Sequence, residues 1–215
     1  MKLVAHRAGN DPARARAFPP GVVDVIEADV HLHRGRLEVR HTKRIWFLPI
    51  LWDRWYLANP FAPPLLLDTV LESLDPRVTL MVDLKGITPG LGRAVRTLVD
   101  RHATPELIVS ARMWRHLRHF RDRPGTLLLR SAGNRRELRR LLRQPAGTWD
   151  GVSVHRELLT PAVVARLRTR AREVWTWPVN TPAAAREVAA LGVTGVISDA
   201  PLEVAATVAG ESGGG

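Results

Sequence analysis

The 215-residue sequence predicts an α/β fold, a (β/α)8 TIM barrel, on three observations. From residue 66 onward, short runs rich in Val, Leu and Ile alternate with amphipathic runs of helical length, the pattern of a parallel sheet covered by helices. Two further runs, 3–5 and 22–30, raise the number of such strands to eight. Chemistry-bearing side chains collect at or just past the ends of these runs, the face on which barrels of this kind carry their active sites.

The elements follow in order. After strand 3–5, residues 10–20 hold Pro12, Pro19 and Pro20, so the first crossover is shortened to a turn or so of helix. Strand 22–30 leads into a hairpin over 31–41, turning at Arg34-Gly35. An aromatic-rich insertion occupies 42–64. Helix 66–74, strand 78–84, helix 91–102, strand 107–110, helix 113–122 and strand 126–129 come next. Asn134 caps a helix running to 143, strand 151–154 follows, and Thr160 caps a helix over 161–170. After strand 174–177, Thr181-Pro182 opens a helix with proline at its first position, where the missing N–H costs nothing. Strand 195–197 and a helix from about 202 complete one domain over 1–210, with 211–215 expected as a disordered tail. An open doubly wound sheet is the alternative, but it calls for a glycine-rich phosphate loop after the first strand. His6-Arg7-Ala8-Gly9-Asn10 is not one.

The chain is long enough for one domain that buries roughly 70% of its unfolded surface. The longest apolar run, 45–52, is interrupted by Pro49 and falls far short of the ~20 residues of a membrane-spanning helix. Only Leu3-Val4-Ala5 follows Met1-Lys2, too little for a signal peptide's apolar core. The sequence contains no cysteine, which removes disulfides and thiolate metal sites and makes a cytoplasmic location the expectation. A net charge of +11 raises the question of a polyanionic partner. Three of the 32 basic residues are lysines, Lys2, Lys43 and Lys85, and the rest are arginines, a skew that GC-rich codon usage also produces. Along the sequence the arginines are dispersed through helices and not gathered in one arm, so they are expected to be mostly solvated helix face, with no specific nucleic-acid partner.

Strand alternation projects Glu27 and Asp29 to one side, with Ala28 between them facing the other. Two adjacent carboxylates repel unless a cation or proton sits between them. Asp83, at the end of the third strand, adds a further oxygen. Three carboxylates without cysteine suit a hard divalent cation, Mg2+ or Ca2+. His6 and His41 flank this group and can act as general acid and base on a reacting phosphorus. Lys85 shares the face of Asp83 and, with Arg7, is a candidate phosphate contact. The competing view is that the acids are exposed loop residues paired with arginine and the histidines are structural.

These residues carry a family resemblance. The order His6-Arg7, Glu27-x-Asp29-Val30, Gly35, His41 and Asp83-x-Lys85 resembles the glycerophosphodiester phosphodiesterase family, of the PLC-like phosphodiesterase type. Val174-Trp175-Thr176-Trp177-Pro178-Val179-Asn180 and the stretch from Leu191 through Ser198-Asp199-Ala200-Pro201 are similar to the family's Trp-Thr-Val-Asn strand and its closing segment. The resemblance implies a (β/α)8 barrel that hydrolyses glycerophosphodiesters to glycerol 3-phosphate and an alcohol with a divalent cation. It implies Glu27, Asp29 and Asp83 as metal ligands, His6 and His41 as the acid–base pair, Arg7 and Lys85 as phosphate contacts, and Trp177 near the substrate.

The sequence also departs from the family. His-Arg-Gly becomes His6-Arg7-Ala8-Gly9, the Glu-Asn-Thr that follows is missing, and aspartate at position 83 replaces the usual glutamate, as in sphingomyelinase D-like enzymes. Thr42 stands where aspartate commonly follows the second histidine, and the insertion after it is cut to about two dozen residues. These departures bear on substrate identity. Trp46, Phe47, Trp52, Trp55, Tyr56 and Phe61 place half of the chain's aromatics in that insertion, with Arg44 and Arg54 among them. Such a segment suits a lipid-headgroup interface, a lid, or a plug of extra core. Trp175 is expected to face the helices as packing. Two other functions fit the sequence: a lysophospholipid or sphingolipid phosphodiesterase making peripheral contact with a membrane, and a non-catalytic anion-binding barrel.

Overall fold

The computed structural model describes residues 1–19, 21–41, 63–147 and 149–212, together with the backbone of three short strands between 43 and 58. Eight parallel strands form a closed barrel. In chain order they are β1 (Lys2–Ala5), β2 (Val25–His33), then, after β3 to β6, β7 (Thr79–Leu84), β8 (Leu107–Ala111), β9 (Thr126–Ala132), β10 (Trp149–His155), β11 (Ala171–Trp177) and β12 (Gly195–Ser198). Each pairs with its neighbour around the ring, and β1 closes it by pairing with both β12 and β2. The antiparallel β3 (Arg36–Val39) returns from β2 through Arg34 and Gly35, both at positive φ (48° and 75°), as a two-residue primed turn requires. A separate three-stranded antiparallel sheet of β4 (Lys43–Arg44), β5 (Leu51–Trp52) and β6 (Leu57–Ala58) lies within the insertion. The side chains of its six aromatics lie outside the described residues.

The helices α1 (Pro12–Arg16), α2 (Leu67–Ser73), α3 (Leu91–Arg101), α4 (Arg135–Leu142), α5 (Pro161–Arg168), α6 (Pro182–Ala190) and α7 (Pro201–Ser212) surround the ring. The caps read from the sequence form: Asn134 accepts from the Glu137 N–H at 3.0 Å, Thr160 from Val163 at 3.2 Å and Thr181 from Ala184 at 3.2 Å. Two expectations change. The stretch expected as helix 113–122 is a 3-10 helix, Trp114–Phe120, and α7 continues to Ser212, two residues into the expected tail. Residues 213–215 lie outside the described residues.

Apolar side chains fill the lower barrel. Val4, Val25, Met81, Ile108, Leu129, Trp175 and Ile197 form one buried cluster inside the ring. Trp175 therefore points into the barrel, not toward the helices. Trp177, two residues on, points the same way, because alternate residues of a strand share a face. Room for the indole comes from its neighbours in register, Gly195 on β12 and Ser153 on β10; a Cβ at 195 would lie 2.7 Å from three ring atoms. Above this plug, Ser110 and Ser131 hydrogen-bond at 2.6 Å and the interior turns polar. Outward-facing strand residues pack under the helices in two clusters, one of which takes Ala28.

The first crossover is compressed into a 3-10 turn, Ala8–Asn10, and the five-residue α1, in keeping with its prolines. The turn lies so close to β2 that a Cβ at Gly9 would sit 2.8 Å from Ala28 Cβ and 3.0 Å from the Glu27 carbonyl oxygen. Gly9→Ala is expected to cost about 1–3 kcal/mol in urea unfolding, since backbone must move to admit one methyl.

Candidate active site

The register of β2 against β7 sets Asp29 directly beside Asp83, both one residue before the C-terminal end of the paired stretch. Glu27 lies one pleat below Asp29. Ligand oxygens of the three carboxylates all come within 4.8 Å of one another, with Glu27 and Asp29 buried. Lys85 Nζ sits between the two aspartates, 2.7 Å from Asp29 Oδ1 and in contact with Asp83 Oδ2. Asn10 clasps Asp29 twice: its amide donates to Oδ2 at 2.9 Å and its carbonyl accepts the Asp29 N–H at 2.8 Å.

His6 follows β1 and approaches the acids from the side. Its Nε2 is 3.9 Å from Glu27 Oε2, while Nδ1 is 2.6 Å from Asp199 Oδ1. Arg7 adopts φ 54°, a left-handed conformation that L side chains rarely take. That turn aims its N–H at Glu27 Oε2, at 2.6 Å, and swings the guanidinium over the site. Nη2 meets His41 Nε2 at 2.7 Å and Nε lies 3.8 Å from Asp29 Oδ2. Arg7 thus links His41 to the acids. Trp177 ends β11, on the far side of the ring from β7, with its ring edge-on to His155 at 4.8 Å between centroids.

The electrostatics follow from crowding. Burial and the charge of Asp29 raise the Glu27 carboxyl well above its ordinary range. Burial would raise Asp29 too, but the Lys85 ammonium and the bonds from Lys85 and Asn10 hold it below its usual value. Lys85 is desolvated, yet its three acidic neighbours raise it further. A proton on Glu27 and the Lys85 charge therefore offset two of the three acidic charges when no other cation does. Asp83 Oδ1 is buried without a hydrogen bond, and Asp29 Oδ1 faces the Lys85 ammonium at 2.7 Å. These two oxygens beside a third carboxylate fit a hard divalent cation, which would take Glu27, Asp29 and Asp83 as ligands.

Solved glycerophosphodiester phosphodiesterases share this architecture. One from Parabacteroides distasonis matches with a TM-score of 0.75 at 20% identity, covering 98% of both chains. One from Thermotoga maritima gives 0.70 at 18% identity over 97% of both. An Oleispira antarctica phosphodiesterase, in complex with the product sn-glycerol-3-phosphate, gives 0.74 at 15% identity over 97% of both. The chain has their fold. No family model matches the sequence, and no curated protein matches it.

Three residues at this mouth were given no role by sequence reading. Asp199 follows β12 and orients His6; Asn180 in turn accepts the Asp199 N–H at 2.9 Å and donates to its carboxylate at 3.3 Å. The strand-end logic that selects Asp83 applies equally to Asp199. Asn10 is the second, and its only sequence signal is its closeness to His6. The third is His31, two residues past Asp29 on the same face, its Nε2 buried without a hydrogen bond. Burial, then Arg40, push its imidazole down to about 3, so it is neutral.

The His6–Asp199 pair has a pH signature. The hydrogen bond from His6 holds Asp199 at about 2, and that same bond and the Asp199 charge raise His6 against the lowering effect of burial. A depressed carboxyl adds stability above its unfolded pKa of about 3.9; a raised imidazole adds it below about 6.5. Asp199→Asn is therefore expected to lower Tm most between roughly pH 4 and 6.5, with the deficit shrinking on either side. Thermal melts across pH 2–9 check this; a deficit independent of pH would contradict it.

Proposed function

We propose that the chain is a metal-dependent phosphodiesterase that hydrolyses glycerophosphodiesters to glycerol 3-phosphate and an alcohol. The observation that carries this reading is the convergence of three carboxylates on two paired strands, with His6 Nε2 3.9 Å from one of them. The fold shared with phosphodiesterases, one of them holding sn-glycerol-3-phosphate, supports it. Glu27, Asp29 and Asp83 would hold Mg2+ or Ca2+, which when bound would supply neutralisation of the phosphate's negative charge. Arg7 and Lys85 contact the phosphate, and Trp177 lines the substrate's side of the mouth. His6 and His41 divide the proton transfers: one removes a proton from the attacking oxygen, and the other protonates the leaving alkoxide as the P–O bond breaks. Asp199 fixes the His6 ring so that Nε2 faces the acids. No helix among the described residues is long and apolar enough to cross a membrane. The proposed setting is cytoplasmic.

A coupled assay for glycerol 3-phosphate tests the reading on glycerophosphocholine and other glycerophosphodiesters, with choline release followed on lysophosphatidylcholine, whose acyl chain stays on the glycerol phosphate. Release with Mg2+ or Ca2+, loss with chelator and recovery on adding the cation back are expected. No release from any substrate with either ion would defeat it.

A further inference from the structure

The chain's positive charge is concentrated in one sector of the barrel wall. Residues 112–144 contain eleven arginines against two acids, Asp122 and Glu137, a net +9 of the chain's +11. In sequence they spread over a 3-10 helix, a strand and α4, but the fold packs these elements together on the β8–β9 side. Neither acid offsets much of the excess. Glu137 is taken by Arg112 at 2.7 Å and by the Gly133 N–H at 2.7 Å, and Asp122 pairs with Arg96, from outside the stretch, at 2.8 Å. Arg123 reaches Asp100, but Arg136, Arg139, Arg140 and Arg143 meet no carboxylate among the described residues.

Aromatic rings hold part of this charge in place. Arg130 lies over Trp149 at 4.5 Å, and Arg140 over Trp114 at 4.1 Å. Burial, then the nearby Arg121 and Arg140, lower the Arg130 guanidinium pKa, more than the charge of Asp150 raises it. Arg136, Arg139 and Arg140 of α4 and Arg143 at its C-cap, with Arg112, Met113 and Glu137, line a groove of about 740 Å3. Arg112, just past the end of β8, carries the groove to the rim of the barrel mouth. The Cβ position of Gly133 lies 3.2 Å from the Arg112 guanidinium and 3.4 Å from the Trp177 ring, so the groove and the barrel mouth share a rim.

We infer that the α4 face is a docking surface for an anionic lipid bilayer and brings the barrel mouth to the headgroup layer. A basic surface of this density attracts anionic lipid and loses its hold as salt rises. A nucleic acid is the poorer fit, because Trp114 and Trp149 are already covered by arginines and leave no open stacking platform. The preference for a bilayer also rests on the proposed glycerophospho substrate, since the surface adjoins that site.

Co-sedimentation of the full chain with phosphatidylcholine vesicles, with and without about 30% phosphatidylglycerol, tests this. Binding is expected only to the anionic vesicles. Arg136→Ala/Arg139→Ala/Arg143→Ala is expected to weaken it at least about tenfold, because each basic residue near an anionic surface contributes separately. Removing equal charge from α5 and α6, as Arg166→Ala/Arg168→Ala/Arg186→Ala, is expected to weaken it less than about threefold. Equal losses in the two triple variants, equal binding to neutral vesicles, or tighter binding to an oligonucleotide at the same ionic strength would overturn the inference. Glycerophosphocholine turnover is expected to be the same in the α4 variant as in the parent. A parent that binds anionic vesicles but turns over no phosphodiester would sink the enzymatic reading and leave the docking surface standing.

Discussion

Glu27→Gln is expected to abolish glycerol 3-phosphate release, lowering kcat/KM by about a thousandfold, or roughly 4 kcal/mol of transition-state stabilisation, while leaving the fold intact or firmer. The two halves of this result have one cause. Glu27 is buried beside Asp29, and its carboxyl is raised because ionising it there is unfavourable. In the cation-free protein, glutamine resembles the protonated form that the site already prefers, and its amide oxygen can still accept the Arg7 N–H. The sign of the pH effect follows. A raised carboxyl contributes stability below its unfolded pKa of about 4.3, and that contribution is lost as pH rises through the folded value. The Tm of Glu27→Gln should match the parent near pH 4 and exceed it increasingly toward alkaline pH, measured with chelator. Adding Mg2+ or Ca2+ should raise the parent's Tm and not the variant's, by mass action on the folded state. Undiminished turnover would remove Glu27 from the chemistry, and a variant less stable than the parent at pH 8 would contradict the electrostatic account.

The part of the site that sequence reveals is the part built by local register. Glu27 and Asp29 share a strand face, Asp83 ends the strand paired beside it, and Lys85 follows by the same alternation, so periodicity alone selects them. The eight-unit barrel is legible for a similar reason, since capped helices and Val-rich strands are written within a dozen residues at a time. Partnerships that depend on ring closure are hidden. Asp199 reaches His6 across 193 residues only because β1 pairs with β12. The basic sector is hidden in the same way: dispersed along the chain, its arginines become neighbours once β8, β9 and α4 are side by side. The helix expected over 113–122 is a 3-10 helix, and its close approach to α3 has a visible trace: a Cβ at Gly92 would meet His119 Cδ2 at 2.9 Å. Trp175 was a matter of parity, since residues two apart on a strand cannot face opposite ways.

That parity sets the largest expected effect on stability. Trp175 is 1% exposed, inside the ring, and Trp175→Ala is expected to cost about 3–5 kcal/mol. For a chain of this length the Tm should fall by about 6–20 °C. A large loss alone would not locate the ring, because a tryptophan buried under the helices would be missed as much. Gly195 makes the distinction. With the indole present, Gly195→Ala forces a methyl to within 2.7 Å of three ring atoms, an overpacking cost of about 1–3 kcal/mol. With the indole removed, the same methyl enters the space it leaves. The Gly195→Ala change should therefore be destabilising in the parent and neutral or stabilising in Trp175→Ala, with a coupling of about 1–3 kcal/mol in a double-mutant cycle from urea unfolding. Additive costs would mean that the two residues do not meet, and would return Trp175 to the outer face of the barrel.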